Sequence, residues 1–488
     1  MEFLDPKKRK AHRQKLFIGY GLIAIALTMI TIVIFFAAYG YDIDRKTGQV
    51  IQNGMIILNA APESARITIN GNDEGNTDKR LSLPAGQYSV ELSRDGYRNW
   101  HRDVNLSGGA IEQLVYPFLF PQNLSTRAVQ DYTAAPGVES QSPDRRWLVV
   151  QRPEDAVGAF QVVDLNDSTT PTSTVVFPDG VLTQGKKHTF QVVEWSTNNN
   201  ELLMKHTVDG ATEFVMFNRD NPSKSRNLTK LFDGRTFTSV SLRDRNPELF
   251  YLYNSADKSL YSTDVKARQY TLVAENVLSY KGYQKDLVLY VTPDKDTTQA
   301  DVHLRYKGVD KVIKKVGASK SYIHDAADFN GKLYVAVGGS SDKNVYLFED
   351  PLSGFSDTSE APSAFLALAL ANPQHLSFST NARFIAAQSG SSVAIYDAET
   401  ERHYQYDTKL DLANGVSATW MDGHRLTVVP KDGLVRVFDF DGTNMQSLNP
   451  GVSGNTVYFD RDYKALYVMA KPDAQTFRLT RTELRLNP

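Results

Sequence analysis

Residues 16–40 form the longest apolar stretch of the chain and contain no charged side chain. At about 1.5 Å of rise per residue, a helix of this length can cross the roughly 30 Å hydrocarbon core of a bilayer. A helix in a protein core would keep a polar face, which this stretch lacks. The pattern therefore predicts a single transmembrane helix at residues 16–40, with the lipid bilayer as its partner.

Charges of opposite sign flank this stretch. Asp42 and Asp44 follow it, and six cationic residues precede it: Lys7, Lys8, Arg9, Lys10, Arg13 and Lys15. Because cationic flanks stay in the cytoplasm, residues 1–15 are predicted to form a cytoplasmic tail, and the chain from Tyr41 onward is predicted to face outward. A cleaved signal peptide is the alternative, but its apolar core usually spans only about 7 to 15 residues.

A connector at residues 41–55 follows, with turn signals at 46–48 and 53–54. Apolar and polar residues then alternate with a period of two, which is typical of half-buried strands. Further turn signals separate these strands, at 70–71, 84–86 and 95–96. The pattern predicts a small all-β module over residues 56–117.

The order of these strands and turns resembles the PEGA domain, a small β-sandwich of bacterial envelope proteins. The stretch that names the family reads "PESA" at residues 62–65, so its third position departs from the pattern. The "LPAG" turn and the later "GY" pair match, and we expect Gly86, Gly96 and Tyr97 to be structural residues of the module. PEGA domains are not catalytic, so the resemblance implies attachment or contact with proteins and the envelope.

Beyond residue 118, a strand–turn–strand pattern recurs about every 45 residues, the length that a four-stranded propeller blade needs. No helical stretch of about 10–15 residues separates the strands, which favours antiparallel pairing. The predicted fold is therefore all-β outside the membrane helix, with a β-propeller of seven or eight four-stranded blades at residues 118–488. Seven blades would result if residues 275–320 were an insertion, and an array of two-sheet sandwiches is the competing architecture.

Two segments need separate interpretation. Residues 363–372 are either a short helix or a strand between blades, and residues 124–132 are predicted to complete the last blade and close the ring. The repeat resembles degenerate propellers of the Trp-Asp-repeat type and of bacterial periplasmic relatives. It departs from them because the Trp-Asp pair and the Gly-His signature are absent.

Composition excludes several kinds of chemistry. The chain has no cysteine, which rules out disulfides, thiol catalysis and cysteine–zinc sites. Its formal net charge of −2 gives no electrostatic footprint for nucleic acid, so no nucleic-acid partner is expected. Hydrolase elbows, zinc-protease helices and phosphate-binding loops are missing as well. We therefore expect no cofactor.

A few polar groups could hold a metal ion or act as acid and base, but each is more simply a turn. His324, Asp325 and Asp328 are the nearest cluster, which we interpret as a loop. Asp, Asn and Gly after a strand are what a β-turn requires. The same reasoning applies to two carboxylate pairs and a calcium-like run: Asp439 and Asp441, Asp460 and Asp462, and Asn70, Asn72 and Glu74 before Gly75.

The sequence leaves two functions open. The first is a binding or scaffolding protein, not an enzyme, held at the bacterial cytoplasmic membrane, whose PEGA spacer presents the propeller to an envelope protein or glycan. The alternative is an extracytoplasmic hydrolase acting on glycans or peptides, which carboxylates from three or more blades around one channel mouth would favour. The sequence identifies no ligand-binding residue.

Overall fold

A computed structural model describes residues 6–38, 40–43, 50–152, 156–232 and 236–486. The chain folds into two compact units that divide between Asn123 and Leu124. The first unit contains the apolar helix and the small module, and the second contains the repeat. Outside the first helix the structure is almost entirely β, as the sequence predicts.

The first helix, α1, spans Pro6–Ala38 and therefore begins inside the basic tail. Its residues 12–36 have a mean hydropathy of 2.4, and none of the most apolar window is buried against protein. The hydroxyls of Thr28 and Thr31 donate to the carbonyls of Ala24 and Leu27, each at 2.8 Å. These polar groups are thus satisfied within the helix, as a hydrocarbon environment requires.

The small module is a sandwich of two four-stranded sheets. One sheet contains Tyr41–Ile43, Val50–Leu58, Lys79–Pro84 and Ile111–Leu114, and the other contains Arg66–Ile69, Asn72–Asn76, Gly86–Ser93 and Trp100–Leu106. Alternate residues of both sheets are buried, including Ile56, Leu58, Ile67, Val90, Leu92 and Trp100. The period of two in the sequence therefore marks the two inner faces.

The turn that we predicted at residues 53–54 is wrong. Both residues lie inside the strand Val50–Leu58, whose N-terminal half pairs with Tyr41–Ile43. A Cβ on Gly54 would lie 2.6 Å from the carbonyl oxygen of Ser107. Glycine is needed here because two backbones approach each other closely. An Asn-Gly pair is also typical of a turn, which is why the sequence was misleading at this position. The turn predicted at 46–48 lies outside the described residues.

The second unit contains eight four-stranded antiparallel sheets in its described residues, which we number as blades 1 to 8. The strands of blades 1 to 4 are Val138–Gln141, Trp147–Gln151, Ala159–Asp164 and Thr172–Val176; His188–Trp195, Glu201–Val208, Ala211–Asn218 and Arg226–Asn227; Ser239–Arg243, Asn246–Asn254, Ser259–Asp264 and Thr271–Ala274; and Ser279–Gly282, Leu287–Pro293, Gln299–Tyr306 and Val309–Gly317. The strands of blades 5 to 8 are Tyr322–Phe329, Lys332–Gly339, Asn344–Glu349 and Leu366–Ala369; His375–Phe378, Phe384–Ser389, Ser392–Asp397 and Arg402–Asp407; Thr419–Trp420, Arg425–Val428, Leu434–Asp439 and Gln446–Pro450; and Tyr458–Phe459, Ala465–Ala470, Phe477–Glu483 and Thr126–Tyr132. A 3₁₀ turn at Pro222–Lys224 and a one-turn helix at Leu228–Leu231 flank the last strand of blade 2.

Neighbouring blades share their hydrophobic cores. Phe160 of blade 1 packs against Phe190 and Phe217 of blade 2, with ring centroids 5.3 and 5.1 Å apart. A single sheet cannot bury both of its faces, so repetition around an axis supplies the core. Blade 2 also shares a core with blade 3, where Met216 and Phe250 lie in one cluster. A sheet that packs on both faces excludes the alternative of separate two-sheet sandwiches.

The ring closes as predicted, because Thr126–Tyr132 is the last strand of blade 8 and pairs with Phe477–Glu483. Asp131 accepts two hydrogen bonds from the guanidinium of Arg478, at 2.6 and 2.8 Å. We call Thr126–Tyr132 the closing strand. Residues 279–317 form blade 4 and not an insertion, so the blade count is eight.

Residues 363–372 contain neither a helix nor a strand between blades. Leu366–Ala369 is the last strand of blade 5 and pairs with Asn344–Glu349. Leu368 is buried and its alanine neighbours are exposed. This period of two is the signal for a strand, although Leu and Ala both favour helices in isolation.

Candidate functional site

The first strands of blades 1 to 6 contact one another in succession, which places them around the axis of the ring. Their polar side chains form what we call the axial layer. It comprises Glu139, Glu194, Ser239, Ser241, Ser279, Tyr280, Lys281, His324, Asp325 and His375. The chemistry of a propeller depends on side chains contributed by several blades, so this layer is the candidate site.

Side chains of the axial layer bind across blade boundaries. The hydroxyl of Tyr280 in blade 4 lies 3.2 Å from Ser239 Oγ and 3.3 Å from Ser241 Oγ in blade 3. Lys281 Nζ donates to Asp325 Oδ1 in blade 5 at 2.7 Å. Burial raises the pKa of Tyr280, so its hydroxyl keeps its proton. These bonds hold adjacent blades in register near the axis.

The interpretation of His324, Asp325 and Asp328 as a loop is wrong. All three lie in Tyr322–Phe329, the first strand of blade 5. The turn comes just afterwards, at residues 330–331, where both backbones have positive φ. The polar residues therefore belong to the axis of the ring, and the asparagine–glycine pair that follows them provides the turn.

His324 and Ser279 form a hydrogen bond between blades 5 and 4, with 3.0 Å between Nε2 and Oγ. Burial, together with the charge of Lys281, lowers the pKa of His324 to about 4, so the imidazole is neutral near pH 7. Its Nδ1 atom is buried and has no hydrogen-bond partner among the described residues. A nucleophilic serine needs an oriented and sufficiently basic histidine, and this pair has neither property.

Two glutamates complete the axial layer in blades 1 and 2. Burial raises the pKa of Glu139 to about 7, and its Oε1 accepts from Asn455 at 3.4 Å. Burial also raises the pKa of Glu194, which accepts from the backbone amide of Leu242 in blade 3. Together with Asp325, three blades contribute carboxylates, but each carboxylate has its own partner. The layer therefore links blades and contains no carboxylate pair held by a common hydrogen bond.

Of the two carboxylate pairs singled out in the sequence, Asp441, Asp460 and Asp462 lie in or next to turns, as expected, whereas Asp439 is the buried last residue of the strand Leu434–Asp439. Asp441 Oδ1 accepts from the backbone amide and hydroxyl of Thr443, at 3.2 and 2.7 Å. Asp460 Oδ1 accepts from the amide of Lys464 at 2.7 Å. These are the local side-chain-to-backbone bonds that stabilise turns. Asp439 Oδ2 instead accepts from Asn444 Nδ2 at 2.9 Å.

Only Asn70 of the calcium-like run lies in a turn, because Asn72, Glu74 and Gly75 belong to the strand Asn72–Asn76. Asn70 Oδ1 accepts from the amide of Ser89, and Asp73 Oδ1 accepts from the amide of Gly75, both at 2.8 Å. Within the described ranges, no three His, Asp or Glu side chains converge as a metal ion would require.

The three residues expected to be structural in the module differ in their backbone conformation and contacts. Gly96 has a φ of +80°, and its carbonyl accepts from the amide of Gln122 at 2.8 Å. Tyr97 is buried, and its carbonyl accepts from the side chain of Gln122 at 3.2 Å. Gly86 begins a strand in which the nearest atom to an added Cβ would be 3.7 Å away. The carbonyls of Gly96 and Tyr97 thus bind Gln122, in the segment that follows the last strand of the module.

Sequence reasoning missed a second polar cluster in blade 2, formed by half-buried His188 and by buried His206 and Glu213. His206 and Glu213 lie seven residues apart on either side of a two-residue turn, Asp209-Gly210. Residues placed in this way face each other across a hairpin. A histidine and a carboxylate on the two sides of an Asp-Gly turn were therefore a usable signal.

The fold and site define a class of protein, an eight-bladed β-propeller preceded in the chain by a small β-sandwich and an apolar helix. Residues 53–115 match the PEGA domain family, so the small module is a PEGA domain. No curated protein sequence matches the chain significantly.

Several solved structures resemble the fold of this chain, but their sequence identity to it is low. The C-terminal WD40 domain of Sif2 has a TM-score of 0.47 at 11% identity, covering 73% of this chain and 97% of that one. The Dos1 propeller has a TM-score of 0.45 at 13% identity, covering 74% and 95%. An oligogalacturonate lyase from Vibrio parahaemolyticus has a TM-score of 0.39 at 11% identity, covering 68% and 98%. At these scores none of the three carries an argument about what this chain binds.

Proposed function

We propose that the protein is a membrane-tethered extracytoplasmic binding protein, in which the PEGA domain is a spacer and the propeller binds a protein partner. In this proposal residues 1–15 stay in the cytoplasm of a bacterium, residues 16–40 cross its membrane and the β-units face outward. In this proposal the spacer is the unit that ends at Asn123, one of whose sheets also includes Tyr41–Ile43 of the predicted connector, and the propeller is the unit that begins at Leu124.

The exposed apolar helix supports the tether. Phe17 is 81% exposed and Ile18 is 62% exposed, and the other large apolar side chains of residues 16–36 are exposed in the same way. Contiguous apolar surface of this extent on a folded protein marks a contact with lipid or another protein. The cationic residues ahead of the helix favour an inward N-terminus.

The observation that carries the binding function is the state of the axial layer. Its hydroxyl, ammonium, carboxylate and imidazole groups are largely engaged in bonds between blades, and its serine–histidine pair lacks an orienting carboxylate. These groups stabilise the ring. The hydrolase alternative keeps one supporting fact, which is that burial raises the pKa of Glu139 to about 7, a value suited to acid–base catalysis.

Topology can be tested with single cysteines, because the natural sequence has none. A256C lies on an exposed turn of blade 3, and A11C lies in the basic tail. We expect a membrane-impermeant maleimide to label A256C in intact cells and A11C only after lysis. Labelling of A11C in intact cells, or release of the propeller into the medium, would overturn the tethered arrangement.

The binding function can be tested by cross-linking the full-length protein in intact cells, followed by mass spectrometry of captured proteins and glycans. We expect one stoichiometric protein partner, captured equally well by the wild type and by E139Q. Recovery of shortened glycans or peptides that disappear in E139Q, but persist in the turn variant D462N, would instead establish the hydrolase.

A further inference from the structure

Blade 2 contains a continuous chain of hydrogen bonds that we call the imidazole chain, which runs from the exposed carbonyl of Gly185 through half-buried His188 to buried His206 and Glu213. His188 Nε2 lies 3.0 Å from the Gly185 oxygen, and His188 Nδ1 lies 2.9 Å from His206 Nε2. His206 Nδ1 lies 2.7 Å from Glu213 Oε1. His206 is fully buried, and the ring of Phe190 stacks on it with centroids 4.4 Å apart.

The Glu213 carboxylate is ionised, because four donors surround it. Oε1 accepts from the amide of Thr183 at 3.0 Å and from His206, while Oε2 accepts from the hydroxyl of Thr183 at 2.6 Å and from Asn227 Nδ2 at 2.7 Å. Burial raises the pKa of Glu213, but the hydrogen bonds from His206, Thr183 and Asn227 outweigh it and lower the pKa to about 2.

The number of protons in the imidazole chain follows from its two ends. A carbonyl oxygen and a carboxylate can only accept, so each of the three links must contain a proton supplied by an imidazole nitrogen. Two neutral imidazoles carry two such protons. A chain in which all three links are hydrogen bonds therefore requires a third proton on the pair His188–His206, and with it one positive charge beside ionised Glu213.

The surroundings favour that charge. Asp209 accepts from the amides of Lys186 and Lys187 at 2.9 to 3.2 Å, and the charge of His188 helps to lower its pKa. The ammonium of Lys230 is directed to the carbonyls of residues 180 and 181 instead. The charged groups that face the histidine pair are therefore Glu213 and Asp209, together with the exposed lysines at 186 and 187.

We propose that the imidazole chain is a proton-dependent latch, which fastens residues 181–188 to blade 2 while the third proton is bound. When the proton leaves, one of the three links has no hydrogen, and the segment loses that attachment. In the outward-facing arrangement of the proposed function, this segment would respond to the pH of the medium. The proton count itself depends only on the geometry of blade 2.

The latch predicts a direction of pH dependence. Above the ordinary histidine pKa of about 6.5, the open state carries two imidazole protons and the latched state carries three. Because the latched state binds one proton more, opening becomes about tenfold more favourable for each unit of rising pH, until the latched chain itself loses the proton.

Hydrogen exchange with mass spectrometry on the intact chain in detergent micelles tests this directly. After correction for intrinsic exchange, the opening constant of the peptide that covers residues 181–188 should rise about tenfold per pH unit above pH 6.5. The comparison peptide covers residues 299–310 of blade 4, whose histidine needs no extra proton, and its opening constant should stay constant. Equal pH dependence of the two peptides would overturn the latch without any variant.

The variant H188Q sharpens the test. A glutamine amide can donate to His206 Nε2 without an added proton, so the bond to Glu213 is kept while the third proton is no longer needed. We expect the pH dependence of the 181–188 peptide to disappear in H188Q and to persist in the matched control H303Q. A wild-type slope in H188Q would contradict the proposal. Neither result depends on where the protein resides or what it binds.

Discussion

Blades 2 and 4 each place a histidine against a carboxylate seven residues further along the chain, yet the other ring nitrogens of the two histidines have different partners. The Nε2 atom of His206 contacts the imidazole of His188, which in turn contacts the carbonyl of Gly185, so three hydrogen bonds in this chain need an added proton. His303 Nδ1 lies 3.1 Å from Asp310 Oδ1, and its Nε2 lies 2.9 Å from the hydroxyl of Thr292, which can donate. Both hydrogen bonds of His303 can therefore form without an added proton.

The difference shows that the partner of the second ring nitrogen of the histidine decides how many protons a histidine–carboxylate pair needs. Burial adds to the contrast, because the side chain of Glu213 is 7% exposed and that of Asp310 is 26% exposed. When a carboxylate has less access to water, water cannot replace a lost hydrogen-bond partner, so removing either the carboxylate or a partner costs more stability.

The largest effect is expected from removing the two carboxylates. E213A leaves the four donors around the carboxylate, fully buried His206 among them, without an acceptor, so it should lower the free energy of unfolding by about 3–5 kcal/mol. D310A, at the better solvated site, should cost about 1–2 kcal/mol. Urea unfolding of the intact chain measures both values, and equal losses would show that burial does not separate the two blades.

Acid should distinguish the pairs next. The pKa of Glu213 falls from 4.5 to about 2 on folding, so its contribution is complete above pH 4.5 and is lost as the pH falls toward 2. That shift corresponds to about 3 kcal/mol. The difference in unfolding free energy between wild type and E213Q should therefore shrink between pH 5 and pH 2. A difference that stays constant over this range would refute the assignment.

A smaller effect is expected from T292V in blade 4. The change removes the hydroxyl that donates to His303 Nε2 and leaves one imidazole nitrogen without a partner, at a cost of about 1–2 kcal/mol. The unfolding midpoint in urea measures it. Stability equal to the wild type would mean that the hydroxyl does not fix the neutral state of His303.

The smallest effect is expected at the closing strand, where the ion pair is exposed. The side chain of Asp131 is 51% exposed and that of Arg478 is 36% exposed, although the two groups form paired hydrogen bonds. D131N should cost less than about 1 kcal/mol, and the cost should fall further in 0.5 M salt. A loss comparable to E213A would contradict the ranking by burial.

Much of the fold could be predicted because its signals are local. The apolar run before Tyr41, the period of two in each strand and the repeat of about 45 residues need no knowledge of neighbours. The closing strand could be inferred as well, because a closed ring needs a strand from the start of the repeat region to complete the blade at its end. The turn predicted at 53–54 failed because the glycine there serves a contact with Ser107, far away in the sequence.

The candidate site was less predictable, because it is made by blades that lie side by side. His324 and Asp325 looked like a loop until the structure placed them next to Ser279 and Lys281 of the preceding blade. A strand's own sequence indicates which residues share a face and not what that face meets. The number of protons in the imidazole chain depends on a backbone carbonyl, for which the sequence contains no signal at all.

The closing strand is synthesised long before the strand with which it pairs. Asp131 leaves the ribosome 347 residues before its partner Arg478. At roughly 5–20 residues per second, this strand waits on the order of 20 to 70 seconds with an open hydrogen-bonding edge. Such an edge is a template for pairing with other chains, so cells must shield it during that interval. A chain that stops before Phe477 can never complete the circle, however well its earlier blades have folded.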